Sequence, residues 1–384
     1  MESDSNHILD FSDSYTLSED MYVSDPILNK DKTVSFITYT LQGKKVPEPL
    51  TRRYRDFDAL RSKLTENWPG FFIPNIPHKQ IIGAKNNEVV EMRIELINRF
   101  CAQISKIDYL FNSEEMNIFL SKSTDLIKLY NNIKPQNYKD LLKKYSEVVI
   151  NYDENFDIEN AKQEQEKFYK LIKENYPRIK TFKQLIINSR NKYKSIHDNY
   201  VLIIDMFNLY ENEIFKDYCN NDENKFIFNN LKNENKNQYI KQIKECSDNP
   251  YDRLLDNISE DYLYTEAMIE ALDSLKDLNE KLNKLKKKLN SINANLTKKK
   301  NKEENINILN SQKENVENDI NNLENIIKIV TFNMNDQIKN FKIQSLNEYY
   351  KELIKLKEDT EKNGKYFELL CESILDENEI KNYK

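Results

Sequence analysis

The feature that most constrains this chain is a run of apolar residues at Leu275, Leu278, Leu282, Leu285, Leu289, Ile292 and Leu296. The steps alternate three and four, which is a heptad seam, and a seam of this kind is buried only against other helices. After Lys298-Lys299-Lys300-Asn301-Lys302 the pattern restarts at Ile306, Leu309, Val316, Ile320, Leu323, Ile327, Val330, Met334 and Phe341, and continues to Leu353, Leu356 and Leu369. A helix of about sixty residues is about 90 Å long and cannot cover such a seam alone. Two runs flanking a basic turn therefore imply an antiparallel hairpin. A third stripe comes earlier, from Phe168, Leu171, Ile172 and Ile179 through Phe182, Leu185 and Ile186 toward Ile203 and Phe207. Pro177 lies inside it and is expected to kink the helix rather than end it, because the pattern continues on the far side. The expectation is a three-helix antiparallel coiled coil over residues 153–384.

Composition agrees. Four glycines and nine prolines in 384 residues are too few for a chain dominated by sheets and tight turns. The net charge of -6 gives no global attraction to nucleic acid or anionic lipid, so nucleic acid is not an expected partner and membrane affinity must come from local patches. Cys101, Cys219, Cys246 and Cys371 are scattered, which fits a reducing compartment and disfavours zinc or a disulfide framework. No apolar run of about eighteen residues occurs, and Met1-Glu2-Ser3-Asp4-Ser5 is acidic, so the protein is expected to be cytoplasmic and at most peripheral to a membrane. His7, His78 and His197 lack partnered motifs, and neither a phosphate-cradling glycine loop nor a metal-ligand spacing is seen. No enzymatic activity, cofactor or metal is expected.

The N-terminal third has a different grain. Residues 1–17 are Ser/Asp-rich and are expected to form a disordered acidic tail. From Met21 the pattern is strand-like: Tyr22-Val23, then Val34 to Leu41, then the edge at Arg52-Arg53-Tyr54. A helix from Asp56 to about Asn67 follows, stopped by Trp68-Pro69-Gly70. A Pro-broken run, Phe71-Phe72-Ile73-Pro74-Asn75-Ile76-Pro77-His78-Lys79, leads to a helix whose stripe is Val90, Ile94, Ile97, Phe100, Cys101 and Ile104. An arginine beside an aromatic pairs bidentately with a phosphate while the ring packs against a sugar-like face.

The block Arg52-Arg53-Tyr54-Arg55-Asp56-Phe57, the proline-rich loop ending in Lys79, and the later helix carrying Arg93 together resemble a phox-homology (PX) domain, over roughly residues 17–125. The resemblance implies an α+β domain, with a small three-stranded antiparallel sheet plus helices, spanning residues 18–128. It implies that Arg53 grips the 3-phosphate of phosphatidylinositol 3-phosphate, Tyr54 packs under the inositol ring, Lys79 meets the 1-phosphate and Arg93 bonds the ring hydroxyls opposite. The family usually has two adjacent prolines where this chain has Ile73-Pro74. Ile81 and Ile82, beside Gly83 and Lys85, either form a membrane insertion loop or cover the following helix.

The long C-terminal pattern, with Phe341-Lys342-Ile343-Gln344-Ser345-Leu346-Asn347-Glu348-Tyr349-Tyr350, then resembles a BAR domain of the sorting-nexin type. The combination resembles a PX-BAR sorting nexin. That implies a dimer, with itself or with another sorting nexin, on endosome membrane containing phosphatidylinositol 3-phosphate. It also implies curvature sensing or remodelling in endosomal sorting and retrograde transport, with a retromer-like cargo complex as a further partner. Lys298, Lys299, Lys300 and Lys302 are the candidate basic membrane contact, each cation near an anionic surface contributing about 1 kcal/mol; the alternative for them is a solvated coiled-coil flank. Residues 129–152 form a linker in which Tyr138, Leu141, Leu142, Tyr145 and Val149 share one helical face, either interfacial at a membrane or docked on a core. The rival functional class is a coiled-coil scaffold or tether whose PX-like domain contacts protein.

Overall fold

A computed structural model describes residues 7–8, 19–30, 35–78, 87–153, 155–209, 249–298 and 303–374. The expected strands are β2 (Tyr22–Lys30), β3 (Ser35–Gln42) and β4 (Leu50–Arg53), paired antiparallel in that order. A two-residue strand from the stretch expected to be an unstructured tail, β1 (His7–Ile8), adds a fourth by pairing with Leu28 and Ile27. Edge backbone groups on β2 are satisfied this way, which composition alone did not reveal. The strand signal read at Tyr22-Val23 extends through to Lys30 because a register shift between Ser24 and Ile27, with Asp25 at φ 47°, absorbs Pro26 without ending the strand.

Helix α1 (Tyr54–Asn67) follows β4 directly, and the Arg53 backbone N–H donates to Asp56 Oδ2 at 2.9 Å. Then come α2 (Asn87–Lys106), α3 (Asp108–Phe111), α4 (Glu114–Phe119), α5 (Leu126–Asn132) and α6 (Tyr138–Val148). The three long helices are α7 (Ile158–Leu209), with Pro177 inside it, α8 (Asp252–Lys298) and α9 (Glu303–Ile374).

The chain divides into two compact units, Met1–Pro177 with Glu260–Ile343, and Arg178–Ser259 with Gln344–Lys384. The boundary expected within 129–152 therefore does not separate two cores. The reason lies in the first unit, where one apolar cluster joins Trp68, Phe71, Leu141 and Tyr145 to Leu275 and Leu278 of α8 and to Leu323, Ile327 and Val330 of α9. Within this unit Ile292 clusters with Val316 and Ile320, and Met268 with Met334 and Ile338, so α8 and α9 run antiparallel. The α7 segment is antiparallel to α8: Lys276 pairs with Glu166 at 3.3 Å and Tyr176 donates to Glu266 at 2.8 Å. In the second unit Ile186 of α7, Leu254, Leu255 and Ile258 of α8, and Leu356 of α9 form a separate cluster.

Helix α6 resolves the choice between membrane face and docked face. Tyr145 is fully buried, its hydroxyl donates to the Pro69 carbonyl at 2.8 Å, and its ring stacks on Trp68 with centroids 6.0 Å apart. Lys144 lies 3.6 Å over the Trp68 ring and donates to the Asn67 carbonyl at 3.1 Å. Burial brings its ammonium down to about 8, against the opposing pull of Glu115 and Glu114. The apolar face of this helix is occupied inside the molecule, which corrects its candidacy for an interfacial helix.

At Gly70 the backbone itself comes up against the hairpin. Its φ is +85°, its N–H donates to Ser274 Oγ at 2.9 Å, and a Cβ built there would stand 2.6 Å from Val330 Cγ1. Gly70→Ala combines a left-handed backbone cost of roughly 1–2 kcal/mol with displacement of Val330. The expected result is a loss of about 2–3 kcal/mol in urea denaturation; an unchanged midpoint would show that the α8–α9 hairpin is not packed against this turn.

Candidate functional site

Period-two alternation along β4 sends its two arginines to opposite environments. Arg52 is buried: its Nε and Nη2 donate to the Phe119 carbonyl at 3.0 and 2.8 Å, Nη2 also reaches the Ser121 carbonyl, and Nη1 takes the Thr51 carbonyl at 2.8 Å. Burial lowers its pKa, opposed by Asp56 and Tyr130. Arg53 faces the other way, with its side chain 28% exposed. Its guanidinium lies 5.4 Å over the Phe36 ring, and its Nε makes only a loose ion pair with Asp56 Oδ1 at 3.8 Å, too long for a hydrogen bond.

Tyr54 opens α1. Its hydroxyl donates to the Pro77 carbonyl at 2.5 Å, and the Arg93 guanidinium sits 5.2 Å from its ring centroid. Burial pushes the Tyr54 phenol up to about 12, helped by Asp58 and opposed by Arg93 and Arg61, so it stays a neutral donor. Arg93 also faces Tyr39, whose phenol is raised by burial and lowered in part by that cation. Arg93 is held there because α2 is clamped to the sheet: Val23 N–H donates to Asn98 Oδ1 at 2.6 Å and Asn98 Nδ2 returns to the Val23 carbonyl at 3.2 Å. Val90, Ile97, Phe100, Cys101 and Ile104 bury the face below.

The loop from Phe71 to His78 walls this site. Phe71, Phe72, Ile73 and Ile76 are buried, and Arg61 Nε donates to the Pro74 carbonyl at 3.3 Å. An aromatic ring with an arginine on it, a second arginine at the adjacent strand end and a fixed proline loop can take a ring-shaped polyol carrying phosphate. Among the described residues no group of His, Cys, Asp and Glu is arranged to hold a metal, and no helix is long and apolar enough to cross a membrane.

Comparisons with known proteins bear on the domain that carries these residues. The family model described as PX domain matches residues 43–123. Sorting nexin-30 of Xenopus tropicalis is 34% identical over 110 residues, which is 26% of this chain and 25% of that protein. Vacuolar protein sorting-associated protein vps5 of Schizosaccharomyces pombe is 31% identical over 101 residues, 25% of this chain and 18% of that protein. Sorting nexin 1 of Arabidopsis thaliana is 27% identical over 174 residues, 40% of this chain and 43% of that protein. The chain thus matches less than half of each of these relatives. The cryo-EM structure of the SNX-BAR Mvp1 tetramer superposes with a TM-score of 0.54 at 15% identity, covering 91% of this chain and 99% of that one.

The chain carries a PX domain, and its fold is that of an SNX-BAR protein. Within the PX domain the structure brings Tyr54 and Arg93 into contact, with Arg53 directly before Tyr54 at the end of β4. Lys79, Ile81 and Ile82 lie outside the described residues, as do Lys299, Lys300 and Lys302, while Lys298 is the last residue of α8. The roles of Arg52, as an anchor for the segment after α4, and of the Pro77 carbonyl were not read from sequence. The alternation of β4 could have shown the first; only the fold shows the second.

Proposed function

We propose that this protein binds phosphatidylinositol 3-phosphate on the cytoplasmic face of endosomes and shapes or senses curved membrane as a dimer, in endosomal sorting and retrograde transport. The observation that carries the lipid half is the Arg93–Tyr54 stack beside Arg53, with Tyr54 tied to the loop that ends in Lys79. Arg53 takes the 3-phosphate, Tyr54 the ring face, Arg93 the ring hydroxyls and Lys79 the 1-phosphate, with Ile81 and Ile82 entering the headgroup layer. No step of this activity requires bond-making chemistry, so the protein acts as a binding module and not an enzyme.

Dimerisation is supported by apolar surface left in water on the long helices. Leu202, Ile203 and Met206 of α7 and Leu353 of α9 are each half or more exposed in one chain. The partner is a second copy or another sorting nexin, with a retromer-like cargo complex as a further proposed partner. Two weak membrane contacts on one dimer multiply through effective concentration.

Charge reversal of Lys298, Lys299 and Lys300 separates this reading from a scaffold. At about 1 kcal/mol per cation, the triple Glu variant is expected to lose tubulation of anionic liposomes while keeping its oligomeric state in analytical ultracentrifugation. Wild-type tubulation by that variant would favour the scaffold. The lipid half is tested by Arg53→Ala in liposome co-sedimentation, where loss of binding is expected.

A further inference from the structure

The loop that carries the Tyr54 anchor is held from outside the PX fold. Asn75 Nδ2 donates to Oε2 of Glu266, a residue of α8 that is 191 positions away. His78 Nε2 stands 3.1 Å from the same oxygen, and Tyr176 of α7 donates to Oε1 at 2.8 Å. The His78 ring meets Tyr262 edge-on at 5.9 Å, and Tyr262 stacks on Tyr176 at 4.9 Å. One carboxylate on the helical hairpin therefore grips both sides of Pro77, whose carbonyl receives the Tyr54 hydroxyl. Burial raises the Glu266 carboxyl, but hydrogen bonds from His78 and Tyr176 and the charges of His78 and Arg61 outweigh it, leaving the group below the usual carboxylate range.

We propose that Glu266 is a positioning residue for the phosphoinositide pocket, so that a helix of the hairpin sets the loop that fixes Tyr54. The inference rests on the lipid-binding role of that pocket argued above. It assigns to the helical domain a share in headgroup recognition, beyond dimerisation and curvature. A PX loop held by its own domain alone would leave affinity independent of α8.

The grip also responds to pH. The charged and titratable groups around His78 are Glu266 and Tyr262 of α8 and Tyr176 of α7, with Arg61 of α1 near Glu266 and paired to Glu270. With the imidazole protonated the His78–Glu266 contact is ionic; with it neutral the contact loses its charge and the loop is held less firmly.

The test is liposome co-sedimentation of the full chain on phosphatidylcholine vesicles with and without phosphatidylinositol 3-phosphate, at about pH 6 and about pH 7.5. Glu266→Gln removes the charge and keeps only one of the two acceptor oxygens, so Asn75 and Tyr176 no longer each have their own. It is expected to bind roughly three- to ten-fold more weakly at the lower pH, with the gap to wild type narrowing at the higher pH. Glu260→Gln is the control, since Glu260 pairs with Arg99 and Gln103 across the same interface without touching the loop. It is expected to bind like wild type. Equal binding by wild type and Glu266→Gln at both pH values, or the same loss in Glu260→Gln, overturns the inference while Arg53→Ala still abolishes binding. Undiminished binding by Arg53→Ala removes the pocket itself, and the inference with it.

Discussion

Arg52→Ala is expected to destabilise the protein severely, by roughly 3–5 kcal/mol, while its neighbour Arg53→Ala leaves the urea midpoint close to wild type. The two side chains differ only in the face of β4 they occupy. The Arg52 guanidinium is 3% exposed as a residue and spends its donors on the carbonyls of Thr51, Phe119 and Ser121. Truncation leaves those carbonyls buried without a donor and opens a cavity beside the Phe119 ring, which lies 5.6 Å from the guanidinium. Arg52→Lys restores a charge but not the fork, and recovers only part of the loss. Equal midpoints for Arg52→Ala and wild type would show that this arginine is not the internal strut described. Arg53 has a loose carboxylate neighbour and a ring, so its removal costs little in stability.

Tyr145→Ala is the second large effect, with an expected loss of about 3–5 kcal/mol for deleting a fully buried aromatic. Its ring packs against both Trp68, at 6.0 Å, and Phe71, at 4.4 Å. Tyr145→Phe keeps both ring contacts and gives up one hydrogen bond to the Pro69 carbonyl, at a cost of about 1 kcal/mol. Denaturation without lipid separates the two uses of α6. If the helix served a membrane instead, Tyr145→Ala would leave stability in buffer unchanged and weaken liposome binding.

These expectations show where sequence was a sufficient guide. Period two placed three strands, and the 3-4 spacing from Leu275 to Leu296 located the hairpin seam: Leu275, Leu278 and Ile292 are buried, and the leucines between them pack partly covered against α9. Arg53, Tyr54 and Arg93 were legible because a local motif carries them. The side on which α6 spends its apolar face was not, since an amphipathic helix has the same pattern whether it meets lipid or Trp68. Nor was the Ser24–Ile27 irregularity, because a bulge lets a strand continue past a proline that would otherwise stop it. Glu266 was the least legible of all. Nothing near it distinguishes it from Glu270 or Glu260, and its meaning comes from Asn75 and His78, which only tertiary packing brings to it.

The central claim is that Arg53, Tyr54 and Arg93 form a site for a 3-phosphorylated inositol headgroup. Its most direct test is co-sedimentation of wild type and Arg53→Ala with liposomes carrying phosphatidylinositol 3-phosphate, beside liposomes matched for charge but lacking it. The account predicts that wild type pellets only with the 3-phosphate lipid, that Arg53→Ala stays in the supernatant, and that both proteins melt alike. Binding that is indifferent to the lipid and to Arg53 would contradict it and shift membrane attachment to the basic residues of the long helices.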